Sequence, residues 1–133
     1  MRLQIVTPDR AVLDQEVEEV YAPGTNGEFG ILPQHITFLT SLDVGVLRYR
    51  AEGKDDFVAI SGGLTEVLDD SITVLADAAE RRDDIDVDRA RVAEEAALEG
   101  IEELLPGTPE HDDCLASLRR AQNRASVAGI SAN

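Results

Sequence analysis

The chain has 133 residues, a formal net charge of −15 and a hydrophobic fraction of 43%, with no Trp, three Phe and two Tyr. This length makes one ordinary domain, or a small domain with an appendage. The negative charge excludes nucleic acid as the main partner and direct docking on anionic lipid. The single Cys114 excludes an intrachain disulfide and a Cys-based zinc site, and no metal site is indicated.

No run approaches the roughly 20 apolar residues that cross a bilayer. The first eight residues are too short and too soon polar for a signal peptide, so we expect a soluble, cytoplasmic protein.

Residues 1–82 carry short apolar runs separated by turn residues, which is typical of strands with one solvent-exposed face. Residues 23–27 form a dense turn signal, and residues 69–71 predict a hairpin. The pattern predicts an all-β N-terminal domain, a sandwich or flattened barrel of about eight to ten strands.

Residues 27–35 predict a strand through Phe29 to Leu32 that ends at a bend. Gly27 and Gly30 bracket a short apolar segment, and Pro33 removes a ladder donor, so the strand ends there or lies at an edge. Glu28 and His35 flank the bend as polar groups on a rigid loop, which is a usual way to present a contact surface. Taken alone, the stretch is also explained by a strand that ends at a proline turn.

Gly62 and Gly63 interrupt a long apolar run, which predicts a bulge or a sharp bend between sheets. A phosphate-binding loop is disfavoured, because the pair belongs to no Gly-x-x-x-x-Gly-Lys-Ser/Thr pattern and no helix signal follows.

Residues 83–133 change to a helical pattern. Asp86 is predicted to cap a first helix, whose apolar residues recur at three- and four-residue steps. Pro106 and Gly107 end that helix, and Thr108 with Pro109 begins a second. The short connection predicts an antiparallel α-helical hairpin.

The predicted seam between the two helices is rich in Ala. It comprises Ala90, Ala93, Ala97, Ile101 and Leu104 on the first helix, and Cys114, Leu118, Ala121, Ala125 and Ala128 on the second. Ala offers little apolar area for burial, so the hairpin is expected to dock weakly and is a candidate moving part. Residues 83–113 hold twelve acidic residues and residues 114–133 hold none, which also suits a solvated helix pair with complementary faces.

Chemistry that would indicate an enzyme is sparse. Cys114 lies three residues after His111 without an orienting third group, and Glu28 with His35 lacks an electrophile or oxyanion site nearby. Without a phosphate loop or a magnesium-binding carboxylate motif, ATP hydrolysis is not expected. We predict a non-catalytic subunit.

Four stretches in order, residues 27–35, 61–67, 72–77 and 85–90, resemble the epsilon subunit of the rotary F-type ATP synthase, called delta in mitochondria. The resemblance covers nearly the whole chain. It implies a sandwich bound to the gamma subunit of the central stalk and touching the ring of c subunits. The family's ring-facing loop is matched at Glu28, Gly30, Pro33 and His35, although this chain lacks the proline that often follows shortly after the histidine.

The same resemblance implies a regulatory hairpin. Folded, it rests on the sandwich; extended, it reaches the catalytic alpha and beta subunits and inhibits ATP hydrolysis. It also implies a position at the cytoplasmic face of the bacterial inner membrane, held there through the complex without direct lipid contact.

No cofactor is required, but some bacterial members bind ATP as a regulatory ligand in the folded form. The matching positions in this chain are Glu80, Ile85, Asp86, Arg89, Ala90, Arg120 and Arg124. The alternative function is a free-standing ligand-binding β-sandwich with a helical lid, an ATP sensor outside any rotary enzyme.

Overall fold

The computed structural model describes residues 1–33 and 37–130. Within them the chain forms seven strands, β1 (Arg2–Val6), β2 (Ala11–Glu16), β3 (Glu19–Gly24), β4 (Gly27–Ile31), β5 (Phe38–Ala51), β6 (Lys54–Leu68) and β7 (Ser71–Arg81). A 3-10 turn (Arg82–Asp84) leads into helices α1 (Val87–Glu102) and α2 (Pro109–Ala128). The predicted class, an all-β sandwich followed by a helical hairpin, is confirmed.

The strands form one hydrogen-bonded sheet in the order β2-β1-β7-β6-β5-β3-β4, which folds into two layers. β1 pairs in parallel with the first part of β7, and β3 pairs mainly with the last part of β5. Each of the three long strands β5, β6 and β7 therefore runs through both layers. The expected eight to ten strands counted the two halves of β5 and of β6 separately. Residues 43–45 (Asp-Val-Gly) and 62–63 (Gly-Gly) have turn-like sequences, but they bend the chain without ending the strands, so the described residues form seven strands.

The side-chain alternation of the three long strands slips at the same height. Along a regular strand, residues that face the core lie two positions apart. Leu42, Gly63 and Ala76 pair with one another across the three strands, and so do Gly45, Ile60 and Ala79, the next residues on the core side. In each strand these two core-side residues lie three positions apart. Every strand thus carries one extra residue between them, and the pairing register between strands is unchanged. We call this feature the shared slip. It is a bend across the whole sheet and not a bulge in one strand.

Glycine makes the shared slip possible in β6. Gly62 and Gly63 have φ angles of 73° and 127°, which side chains other than glycine rarely adopt. A Cβ atom on Gly63 would lie 2.1 Å from the carbonyl oxygen of Leu75. The close approach of β6 and β7 at this point therefore requires a residue with no side chain.

The main core lies between the two layers and is mainly aliphatic. Its fully buried members come from both layers. The largest are Leu3, Ile5, Val20, Ile31, Leu47, Val58, Ile60, Ile72 and Val74. This core is built without the helices.

The helices begin where the sequence predicts. Asp86 accepts a hydrogen bond from the backbone N–H of Arg89 (3.1 Å), and Thr108 accepts one from that of His111 (3.2 Å), with Pro109 in the first turn. α1 ends at Glu102, four residues before Pro106, so Leu104 lies beyond the helix.

The helices pack side by side as an antiparallel pair. Ala90, Ala97, Leu118 and Ala121 are buried, whereas Cys114 is half-buried and donates through Sγ to the Ala97 carbonyl (3.3 Å). Cys114 therefore lies between the helices as the predicted seam has it, and its thiol also serves as a hydrogen-bond donor.

The hairpin lies on the outer face of the layer formed by the first half of β6 and the second half of β5. Ala59 on that face forms a small buried cluster with Ile85, Ala90 and Val127. Among the described residues, neither helix is long and apolar enough to cross a membrane.

Candidate functional site

A cleft of about 260 Å³ opens between the hairpin and the outer face of the sheet. Its walls come from β6, the end of β7, α1 and α2. They include Ala59, Ser61, Ala79, Glu80, Ala93, Ser117, Arg120 and Arg124. We call it the hairpin cleft. It lies just below the usual size range of small-molecule sites, roughly 300–1,000 Å³.

Three of the residues predicted to bind a nucleotide meet at this cleft. Arg124 on α2 forms an ion pair with Glu80 at the end of β7, with Nε 2.5 Å from Oε1 and Nη2 3.3 Å from Oε2. Arg120, one turn earlier on α2, is exposed and donates to the hydroxyl of Ser117 (3.0 Å). The four-residue spacing places both guanidinium groups on one face, as the sequence predicted.

The other four predicted residues lie outside the lining of the hairpin cleft. Ile85 and Ala90 are buried in the cluster with Val127, and Asp86 caps α1. Arg89 is exposed one turn before Ala93, the residue of α1 that lines the cleft. The 85–90 segment thus borders the cleft through α1.

The hairpin cleft combines cations with a small-residue floor. Two guanidinium groups suit a phosphate chain, because each offers several donors in a planar fork. Glu80 already engages Arg124, so an anion entering here would have to displace a carboxylate. Arg120 has no ion-pair partner among the described residues. It is therefore the more available cation.

The predicted ring-facing loop is described only in part. Glu28 and Gly30 are exposed on β4, an edge strand of the sheet, and Pro33 is exposed just beyond it. A Cβ atom on Gly30 would lie 2.8 Å from Cε1 of Tyr21 on β3, so the glycine lets that ring lie flat across the strand pair. His35 lies outside the described residues.

Sequence reasoning missed an apolar surface on the layer that the helices leave uncovered. Leu64 and Leu75 are direct cross-strand neighbours, 44% and 53% exposed, and Leu39 nearby on β5 is 65% exposed. We call these three residues the leucine face. In each strand, the residues next to these leucines face the core. The sequence feature that could have revealed the leucine face is therefore a strand with apolar residues on both of its faces. That signal is easily taken for a buried strand.

A polar cluster lies where the β5–β6 hairpin meets the linker to the helices. Burial raises the pKa of Tyr49, which is 3% exposed, and the nearby carboxylate of Asp56 raises it further. The tyrosine hydroxyl donates to Oδ2 of Asp56 (3.4 Å). On the exposed side of the same hairpin, a hydrogen bond from Arg50 (2.9 Å) and the charge of Arg48 lower the pKa of Asp55. Among the described residues, no group of three or more His, Cys, Asp or Glu side chains is placed to hold a metal ion.

The sequence pattern of the family described as ATP synthase, Delta/Epsilon chain, beta-sandwich domain matches residues 1–82. This match spans more than half of the chain, and the chain therefore belongs to the delta/epsilon family of ATP synthase subunits. Similar proteins carry the name ATP synthase epsilon chain. The one from Nitratidesulfovibrio vulgaris strain DP4 is 47% identical over 129 residues, which is 97% of this chain and 96% of the relative. The one from Trichlorobacter lovleyi is 46% identical over 132 residues, 99% of this chain and 96% of the relative.

Solved structures agree with the sequence relatives. A chain in the cryo-EM structure of the Euglena gracilis mitochondrial ATP synthase, OSCP/F1/c-ring, matches with a TM-score of 0.78 and 25% identity, over 93% of this chain and 78% of that one. A chain of the central stalk/c-ring of the Tetrahymena thermophila enzyme matches with a TM-score of 0.58 and 14% identity, over 93% and 95%. The second match shows the fold alone. The resemblance drawn from the four sequence stretches is confirmed.

Proposed function

We propose that this chain is a non-catalytic subunit of the central stalk of a rotary F-type ATP synthase. It couples the rotor to the c-ring and restrains ATP hydrolysis through its helical hairpin. The observation that carries this proposal is the length of the match, because the epsilon-chain relatives align over the sandwich and the hairpin alike. A free-standing ATP sensor is not favoured, and co-purification of this chain with a large membrane ATPase separates the two functions.

The sandwich offers two surfaces for the proposed partners. The leucine face supports a contact with the gamma subunit, since exposed apolar patches on a folded domain usually mark protein contacts. The loop around Glu28, Gly30 and Pro33, with His35, is the proposed contact with the c-ring. In the extended position the hairpin would reach the alpha and beta subunits. The complex would hold the chain at the cytoplasmic face of the bacterial inner membrane without direct lipid contact.

The regulatory part of the proposal rests on the weak docking of the hairpin. Its buried apolar contact with the sheet is one small cluster of Ala59, Ile85, Ala90 and Val127. The partly buried Val46 and Phe57 of the sheet pack against this cluster. A small buried area gives a small docking free energy. An interaction with other subunits can therefore compete with the sandwich for the helices.

The direct test compares the ATPase activity of the complex with and without residues 86–133. We expect the complex that contains the truncated subunit to hydrolyse ATP faster than the intact one, because the inhibitory element is gone. Gel analysis must show the truncated subunit still bound to the complex. Equal rates in the two complexes would refute a regulatory hairpin.

We further propose ATP as an optional regulatory ligand of the folded form, bound at the hairpin cleft. Glu80, Arg120 and Arg124 face the cleft, and Ile85, Asp86, Arg89 and Ala90 form the adjacent start of α1. A ligand at a hundredfold excess over its dissociation constant stabilises the binding state by about 2.7 kcal/mol, enough to decide between folded and extended forms.

Calorimetry on the isolated chain tests this ligand. We expect heat on addition of millimolar ATP, and loss of that heat when Arg120→Ala is combined with Arg124→Ala. Arg91→Ala is the matched control, because Arg91 is an exposed arginine of α1 outside the lining of the cleft. An absence of heat with the unaltered chain would end the ATP hypothesis.

A further inference from the structure

Arg82 occupies an unusual position for a charged side chain. It begins the 3-10 turn between β7 and α1, and its side chain is only 9% exposed. Nη2 lies 3.2 Å from Oδ1 of Asp56 in the sandwich, and Nη1 donates to the carbonyl oxygen of Ile130 (3.3 Å), just after α2. One guanidinium group therefore joins the sandwich, the linker and the far end of the hairpin.

This contact places the charge of Arg82 near the C-terminal end of α2. The last turn of a helix carries unpaired carbonyl groups and a partial negative charge, which a cation stabilises. α2 has no basic residue in its own last turn. Arg82 supplies the cation from the linker, where Ile85 and the buried Val127 also belong to one apolar cluster. Arg82 can supply this cation to the end of α2 only when the hairpin is folded against the sandwich.

A second polar contact holds the middle of α2. Nδ2 of Asn123 donates to the carbonyl oxygen of Gly45 (2.7 Å) and lies within 3.4 Å of that of Ile60. Gly45 and Ile60 are directly opposed on β5 and β6, next to the shared slip. An amide donor fits two carbonyl oxygens, whereas a carboxylate in the same place would be repelled by both.

We propose that Arg82 and Asn123 form a two-point clasp that fixes the hairpin in the folded position. The apolar contact between the helices and the sheet is a small cluster, so polar contacts define where α2 docks. Arg82 and Asn123 make two of these contacts, beside the partly exposed ion pairs Arg124–Glu80 and Arg119–Asp43. The clasp rests on the proposed function, since it presupposes a hairpin that leaves the sandwich. The clasp adds to the proposed function the two residues that set the equilibrium between the folded and the extended hairpin.

The test measures how often the hairpin opens in the isolated full-length chain. A cysteine at Ala59, which is 5% exposed in the cluster beneath the hairpin, reports opening through its rate of reaction with a thiol reagent. A cysteine at Ala22, fully buried in the sandwich core, reports global unfolding. Both reporters carry Cys114→Ser, and reaction rates follow the open population when closing is fast.

Arg82→Gln and Asn123→Asp are compared with neighbouring solvent-exposed controls. Arg91→Gln removes a charge on α1, and Gln122→Glu adds one beside Asn123. We expect each clasp variant to raise the reaction rate at position 59 about tenfold, as the loss of a charged or buried hydrogen bond predicts, with no change at position 22. The controls should stay within about twofold.

The clasp is overturned if either variant leaves the rate at position 59 unchanged, or if the rate at position 22 rises equally. Should Asn123→Asp prevent folding, Asn123→Ala replaces it with the same expected direction. The reaction rates are measured on the isolated chain, whereas the ATPase test of the hairpin uses the whole complex. The clasp can therefore be overturned while the regulatory hairpin is supported, or be supported while the regulatory hairpin is refuted.

Discussion

Thr65 places a hydroxyl inside the sandwich core. Its side chain is fully buried, and Oγ1 has no hydrogen-bond partner among the described residues. A buried polar group without a partner destabilises the folded state, and valine has the same shape without the hydroxyl. We expect Thr65→Val to raise the free energy of unfolding by about 1 kcal/mol, measured by urea denaturation. Thr73→Val, at a half-exposed position of β7, should change it little. A destabilised Thr65→Val variant would show that the hydroxyl is satisfied.

Tyr49 makes stability fall at alkaline pH. Its pKa is raised in the folded state, first by burial and then by Asp56. The unfolded chain therefore releases this proton at a lower pH, near 10, than the folded chain does. The associated stability is complete below about pH 10 and is lost as the pH rises through the folded-state pKa. We expect Tyr49→Phe to flatten the fall in urea midpoint between pH 9 and 11. An unchanged slope would contradict this assignment.

The residues of the hairpin cleft were partly predictable because Arg120 and Arg124 show their spacing in the sequence. Arg82 and Asn123 were not, since their roles depend on backbone carbonyl groups that have no sequence signature. Glu80 was named through the family resemblance, but its ion pair with Arg124 was not predicted, because the two residues lie 44 positions apart and meet only after the hairpin folds back.

At the scale of elements, Gly63 of β6 lies against the backbone of Leu75 and Ala76 on β7, where a Cβ atom would clash. We expect Gly63→Ala to cost more stability than Gly53→Ala, measured by thermal unfolding. Both positions have a positive φ angle, which destabilises the folded state by about 1–3 kcal/mol when the residue has an L side chain. A Cβ atom at Gly53 would meet nothing within 4 Å, so the substitution there carries only this backbone cost. Gly63→Ala also forces Leu75 to move. Equal losses would show that the close approach relaxes easily.

The sandwich is expected to fold without the hairpin. All the strand ladders and the main core lie in residues 1–82, and the helices add only the small cluster around Val127. A chain that ends after residue 82 should keep a β-type circular dichroism spectrum and a cooperative unfolding transition. The full-length chain is the reference. An unfolded spectrum would mean that residues 83–133 are part of the same folding unit.

Elements with local chemistry were predicted best. Asp86 and Thr108 cap their helices through hydrogen bonds to residues three positions on, so the sequence contains the whole interaction. The bent strands were divided wrongly, because residues 43–45 read as a turn when viewed alone. Continuous pairing with β6 on one side of that segment holds β5 extended, and such pairing depends on distant parts of the chain.

At the scale of the whole molecule, the loop proposed to face the c-ring and the opposite edge of the sheet can be compared directly. We expect a cysteine at Glu28 to crosslink to the c subunits in the assembled complex, and one at Ala11, exposed on the opposite edge strand β2, not to do so. Glu28→Ala alone should leave coupling nearly normal, since an exposed polar contact contributes roughly 0–1 kcal/mol. Crosslinking of the two cysteines with equal yield would count against the assigned orientation.

The shared slip has a consequence for how this fold tolerates changes in length. A single residue inserted into β6 alone would reverse the inward and outward side chains beyond that point, while β5 and β7 kept theirs. Val67 would then face solvent and Glu66 the core. Restoring the match would take simultaneous insertions in the neighbouring strands. Relatives that differ in length should therefore gain and lose residues in the loops, and the middle of the three long strands should behave as a segment of fixed length.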